Sequence, residues 1–126
     1  MALEKVNILA IGVHPDDVEL SCSGTLIKSV QAGKKVGLLD LTHGELGTRG
    51  SGELRLVEAE NARKVIGASF RVNLGLKDGF FENNEAAQMK IIEVIRACQP
   101  DIVLCNALRD RHPDHGRSAE MEKVAC

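Results

Sequence analysis

Three apolar runs limit what this chain can fold into. Val6–Val13, Lys35–Leu41 and Asp101–Ala107 each read as a strand buried on both faces. Ser69–Leu76 is a weaker fourth strand, alternating through Phe70, Val72 and Leu74. Segments of helical period lie between them. Val18–Ala32 turns Leu26, Ile27 and Val30 to one face and stops at Gly33. Glu53–Ile66 carries Leu54, Val57, Asn61, Ala62, Val65 and Ile66, and ends at Gly67. Glu85–Cys98 places Gln88, Ile91, Ile92, Ile95 and Cys98 at helical spacing, and Pro100 blocks its continuation. A last helix is expected from about Gly116. Strands alternating with such helices imply βαβ units with right-handed crossovers. The expected fold is α/β and Rossmann-like, a mainly parallel sheet flanked by helices.

Composition narrows the function. At 126 residues the chain can bury a sizeable core as one domain, 1–126. Its net charge of −2, with no basic run, argues against a nucleic-acid surface. No apolar stretch reaches the roughly eighteen residues of a membrane span. The start, Met1 to Lys5, lacks the basic opening of a signal peptide, and the apolar run after it is explained by a core strand. Cys22, Cys98, Cys105 and Cys126 form no C-x-x-C pair. They are expected as reduced thiols in a cytoplasmic protein, with Cys22 packing beneath the first motif described next.

Two strands run into near-matching motifs, His14-Pro15-Asp16-Asp17 and His112-Pro113-Asp114-His115. Imidazole nitrogen and carboxylate oxygen suit a divalent zinc site, and a His/Asp set without thiolate reads as catalytic. Ligands in such sheets bind beyond the carboxyl ends of the strands. If the first and fourth strands are neighbours, both motifs come within reach of one ion. Four ligands are then in question, His14, Asp17, His112 and His115. Three suffice where a hydrolytic zinc keeps one position open for water. One acid must then serve as base and one cation must steady an oxyanion. His14 and Asp17, at i and i+3, share a face of a helical turn, leaving Asp16 to face the water.

The competing explanation makes Asp17 and Asp114 helix N-caps. Capping accounts for neither three histidines nor the crowding of Asp16, Asp17 and Glu19 at one strand end. A dinucleotide fold would use Asp40 as its ribose-binding acid, but G-x-G-x-x-G is missing after the first strand. Asp40 is therefore expected to be structural. His43 reads as a loop residue, and Gly44–Gly52 as a substrate-side loop.

Taken together, Gly12 to Leu20 and Asp110 to His115 resemble the zinc-dependent N-acetylglucosaminyl deacetylases of the LmbE-like, PIG-L-related family. Asp40 to Gly50, Asn73 to Asn83 and Asp110 to Gly116 resemble most closely the bacillithiol-pathway branch, which deacetylates N-acetylglucosaminyl-malate. The resemblance covers nearly the whole chain. It implies one zinc per chain held by His14, Asp17 and His115, with Asp16 as general base. Protonated His112 would stabilise the oxyanion, with Asp114 as partner of its imidazole. Arg55 and Arg111 would face an acidic aglycone, since guanidinium pairs with carboxylate through two hydrogen bonds.

The implied substrate is a small N-acetylglucosamine conjugate, with no nucleic acid or membrane partner, and the implied assembly is a homo-oligomer. Two departures stand out: Ser21-Cys22-Ser23-Gly24 replaces a more glycine-rich turn, and His43 stands where arginine is common. The resemblance also implies further strands and helices beyond Cys126 that wall the cleft, so the chain would lack the family's C-terminal part. The rival expectation is a fragment that binds metal or sugar and self-associates without turnover.

Overall fold

The computed structural model describes residues 2–47 and 51–126. β1 (Ile8–Gly12), β2 (Val36–Thr42), β3 (Phe70–Leu76) and β4 (Ile102–Leu104) form a parallel sheet in the order β3-β2-β1-β4. Ile8 pairs with Val36 on one side and with Ile102 on the other. The chain thus steps outward from β1 to β3 and returns to the opposite side of β1. That reversal makes the β1/β4 boundary a topological switch point, with a crevice at the carboxyl ends of both strands.

The helices are α1 (Asp17–Gln31), α2 (Gly52–Ile66), α3 (Glu85–Cys98) and α4 (Pro113–Ala125). On one face of the sheet, Val18 and Leu26 of α1 and Ile66 of α2 pack with Ala10, Val36 and Leu38. On the other, Ile91, Val94 and Cys98 of α3 and Met121 of α4 pack with Leu9, Ile11, Leu39 and Leu41. Two-sided burial explains why β1 and β2 read as continuous apolar runs, each large side chain contributing about 1.5–3 kcal/mol. Gly37 in β2 is required by packing, because the Phe70 ring occupies the space where a Cβ would stand.

Three elements depart from expectation. β4 stops at Leu104 rather than Ala107, and as the edge strand it is not buried on both faces, with Ile102 exposed. Beyond it the chain turns under α4, where Ser118 Oγ lies 3.1 Å from the Asn106 side chain. Helix α4 begins at Pro113, earlier than Gly116. Proline needs no N–H bond at the first helical position, and His112 Nδ1 caps the end by accepting the Asp114 N–H at 3.1 Å. The capping roles considered for Asp17 and Asp114 are not made; the N-cap positions fall on Asp16 and His112.

In α2 the inward stripe is Arg55, Ala59, Ala62, Arg63 and Ile66, while Leu54, Val57 and Val65 are exposed. The small residues Ala59 and Ala62 let the helix approach β3, and the Ala59 carbonyl accepts from Arg71 Nη1 at 3.3 Å. This rotation aims Arg55 at the crevice. No helix among the described residues is long and apolar enough to cross a membrane.

Candidate metal centre

The first motif begins two residues after β1, whereas the second is separated from β4 by residues 105–111 and opens α4. After β1, the turn His14 to Asp17 closes through Asp17 N–H to the His14 carbonyl (3.1 Å) and His14 N–H to Asp17 Oδ2 (2.9 Å). The turn forces Asp16 to φ 132°, a region L-residues rarely adopt. From the β4 side, α4 supplies His115, and three imidazoles converge. The His14 ring centroid lies 5.1 Å from that of His112 and 5.6 Å from that of His115.

Asp17 Oδ2 is 3.4 Å from His14 Nδ1 and 3.2 Å from His115 Nε2. One donor atom from each of these three residues lies within 4.8 Å of the other two. Burial opposes ionisation of Asp17, but the His14 ring and backbone N–H, with His115 beside them, hold its carboxyl below the usual range. Burial likewise works against a charged His14, and is outweighed by Asp17 and Asp78, which raise the imidazole to about 9. For Asp16, burial first and the Asp17 charge second push the carboxyl up.

The donor set fits a divalent ion. His115 Nε2 is buried and makes no hydrogen bond among the described residues, although an acid oxygen stands beside it. An unsatisfied buried acceptor is costly, and two nitrogens with one carboxylate oxygen are what zinc takes when a position stays open. His14, His112 and Asp114 also cluster within 4.8 Å. There, however, the atoms are committed to hydrogen bonds. Asp114 Oδ2 accepts the Gly79 N–H at 3.0 Å, Asp114 Oδ1 takes Arg117 Nη1 at 3.2 Å, and His112 Nδ1 caps α4. The carboxylate of Asp114 therefore turns to His14, 3.2 Å from Nε2, and His112 receives the backbone N–H of Asp114 rather than its acid.

A cleft of about 380 Å3 opens over these groups, with Asp16 and His112 on its wall and Arg55, Leu46 and Gly47 also lining it. Arg55 lies against Gly44 and Gly47, where a side chain at either glycine would collide with its guanidinium. Arg111 is exposed and is not among the residues lining this cleft. His43 is exposed, its Nε2 close to Gly75, and it is not among the residues lining this cleft. Part of the expected substrate-side loop, residues 48–50, lies outside the described residues. Asp40 is structural, paired through both oxygens with Arg71 at 2.6 and 2.9 Å, while Arg71 also reaches Glu19 at 3.0 Å. Half-buried Cys22 lines a groove of about 560 Å3 between α1 and the β4 side, which Asp17 and His115 also line.

Two further acids, in turns with no motif of their own to mark them, stand at the centre. Buried Asp78, after β3, holds His14 Nε2 at 2.8 Å. Asp110 holds His115 Nδ1 at 3.0 Å and accepts the His112 N–H at 2.9 Å. The His112 N–H first, and the His115 ring next, lower the Asp110 carboxyl.

Fold and centre define a Rossmann-like α/β protein with a metal-competent His/Asp cluster at its switch point. The chain belongs to the PIG-L family, described as GlcNAc-PI de-N-acetylase, whose model matches residues 9–126. It is 30% identical to the uncharacterized deacetylase YaiS of Escherichia coli K12, covering 99% of this chain and 70% of that one. Among solved structures it resembles the conserved protein TT1542 of Thermus thermophilus, with a TM-score of 0.91 and 37% identity over 95% of this chain and 55% of that one. It also resembles the N,N'-diacetylchitobiose deacetylase of Pyrococcus horikoshii, with a TM-score of 0.86 and 26% identity over 94% of this chain and 48% of that one. The chain thus spans about half the length of these two solved structures.

Proposed function

We propose that this chain carries the catalytic centre of a zinc-dependent amidohydrolase that removes the N-acetyl group from an N-acetylglucosamine conjugate. The observation that carries the reading is the convergence of His14, Asp17 and the unsatisfied His115 Nε2 beneath a cleft that Asp16 and His112 also line. Zinc held by His14, Asp17 and His115 would supply a polarised carbonyl and a water acidic enough to react at neutral pH. Asp16 accepts the proton of the attacking water and passes it to the leaving amine. Its raised affinity for protons suits both halves of that task. His112, its Nδ1 fixed by the Asp114 N–H, presents Nε2 as the donor to the developing oxyanion.

We take the substrate to be N-acetylglucosaminyl-malate. The motif resemblance to the bacillithiol branch supports this, as does Arg55 on the cleft wall, where a guanidinium can pair with a malate carboxylate. Arg111 would join it only from outside the cleft described. Self-association is supported by the exposed Leu54, Val57 and Val65 on α2. The test is acetate release by the purified, zinc-loaded chain from N-acetylglucosaminyl-malate and from N,N'-diacetylchitobiose. The reading expects turnover of the malate conjugate and weaker turnover of the chitobiose. The reverse order would reject the malate assignment, and zinc uptake without any acetate release would favour the non-catalytic binding fragment.

A further inference from the structure

We infer that Asp78 is a positioning residue that locks the His14 imidazole with Nδ1 toward Asp17 and His115, and ties that ring to the loop segment at Leu46. The inference rests on the metal reading above. Asp78 is 6% exposed, and its two oxygens have different partners. Oδ1 stands 2.8 Å from His14 Nε2, and Oδ2 accepts the Leu46 N–H at 2.9 Å. The backbone N–H of Asp78 in turn donates to Glu45 Oε2 at 3.2 Å. Leu46 lines the cleft, so a single buried carboxylate joins a ligand histidine to the cleft wall.

The chemistry follows from counting donors. Two acid oxygens, Asp78 Oδ1 and Asp114 Oδ2 at 3.2 Å, face His14 Nε2. Neither donates when ionised, so Nε2 carries a hydrogen, and Nδ1, which faces Asp17, is the nitrogen left to give up its proton to a metal. Flipping the ring would turn C–H toward both acids and leave them without that donor. A carboxylate behind a ligand histidine typically holds its tautomer and strengthens metal binding. Asp78 therefore acts before substrate arrives, which separates this role from direct contact with a sugar.

The experiment is zinc affinity without substrate, by competition with a chromogenic chelator, for the wild-type chain and Asp78→Asn, with folding checked by circular dichroism. Nitrogen-15 NMR of the zinc-loaded wild type reads which His14 nitrogen is bound and needs no variant. The expected results are binding through Nδ1 with Nε2–H retained, and about 10–100-fold weaker zinc in Asp78→Asn. Binding through Nε2 overturns the inference, as does a variant affinity within about threefold of wild type. A wild type that takes up no zinc overturns the metal reading itself, and this inference with it.

Discussion

The two His-Pro-Asp motifs are nearly the same four residues, yet their backbones and roles diverge. In the first, the turn after β1 is strained at Asp16, and the acid in third place is exposed beside the cleft. In the second, the turn relaxes into α4 with Pro113 in its first turn, and the acid in third place, Asp114, is 1% exposed. The fourth residues, Asp17 and His115, meet each other across the centre. The first residues part company: His14 offers Nδ1 toward Asp17, whereas His112 spends its Nδ1 on the helix cap. A motif therefore fixes where a side chain is delivered, while the surrounding donors and acceptors decide what it does.

The comparison can be broken most forcefully at Asp16. Asp16→Asn should keep its zinc and lose about 10²–10⁴-fold in turnover, because the base is gone while the donor set stands. Steady-state kinetics beside metal analysis reads both, and near wild-type turnover would remove the contrast between the third residues. Asp114→Ala should instead act on stability. It leaves the Gly79 N–H and Arg117 without their acceptor, at a cost of about 3 kcal/mol in chemical denaturation. A loss as small as that of a surface substitution would mean the buried acid is not holding the second turn.

The helices behind the motifs differ as well, and pH exposes the difference. α1 directs Glu19 to Arg71, whereas α4 buries Glu122 with Ser118 Oγ at 2.7 Å. Burial raises the Glu122 carboxyl from 4.5 to about 7. The folded state thus holds a proton that the unfolded chain has released across that window. The associated stability is complete below 4.5 and is lost as pH rises through 7. Glu122→Gln should flatten this fall, gaining about 2 kcal/mol near pH 8.5 and little near pH 4.5. Parallel denaturation curves for both chains across that range would contradict it. The smallest effect on stability belongs to Asp16→Gly, which relieves the positive φ and should stabilise the fold by about 1 kcal/mol. A lower melting temperature would show that the turn is not strained.

Legibility in the sequence followed the range of the interactions involved. β1 and β2 were readable because burial on both faces writes itself as an unbroken apolar run. The β1/β4 neighbourhood was only a condition for the two motifs to share one ion, and the sheet order meets it. The inward face of α2 was not readable, because Ala59, Ala62 and Arg63 carry the packing while Leu54 and Val57 stay in water. Nor was the end of β4, which is set by the turn of Asn106 toward Ser118 rather than by strand propensity. Within the centre, the histidines announced themselves through spacing. Asp78 did not, since Asp-Gly after a strand reads as an ordinary turn and its partner, His14, lies 64 positions away. Asp110 was hidden for a different reason: it lies only five residues before the ring it holds, but in an exposed turn whose path spacing alone does not give.

In the proposed function, His14, Asp17 and His115 together hold one divalent ion. Zinc stoichiometry by atomic spectroscopy on dialysed wild type and His115→Ala, with both shown to be folded, tests it most directly. About one zinc per wild-type chain and almost none in the variant are expected. Full zinc occupancy in His115→Ala, or none in the wild type, would contradict it.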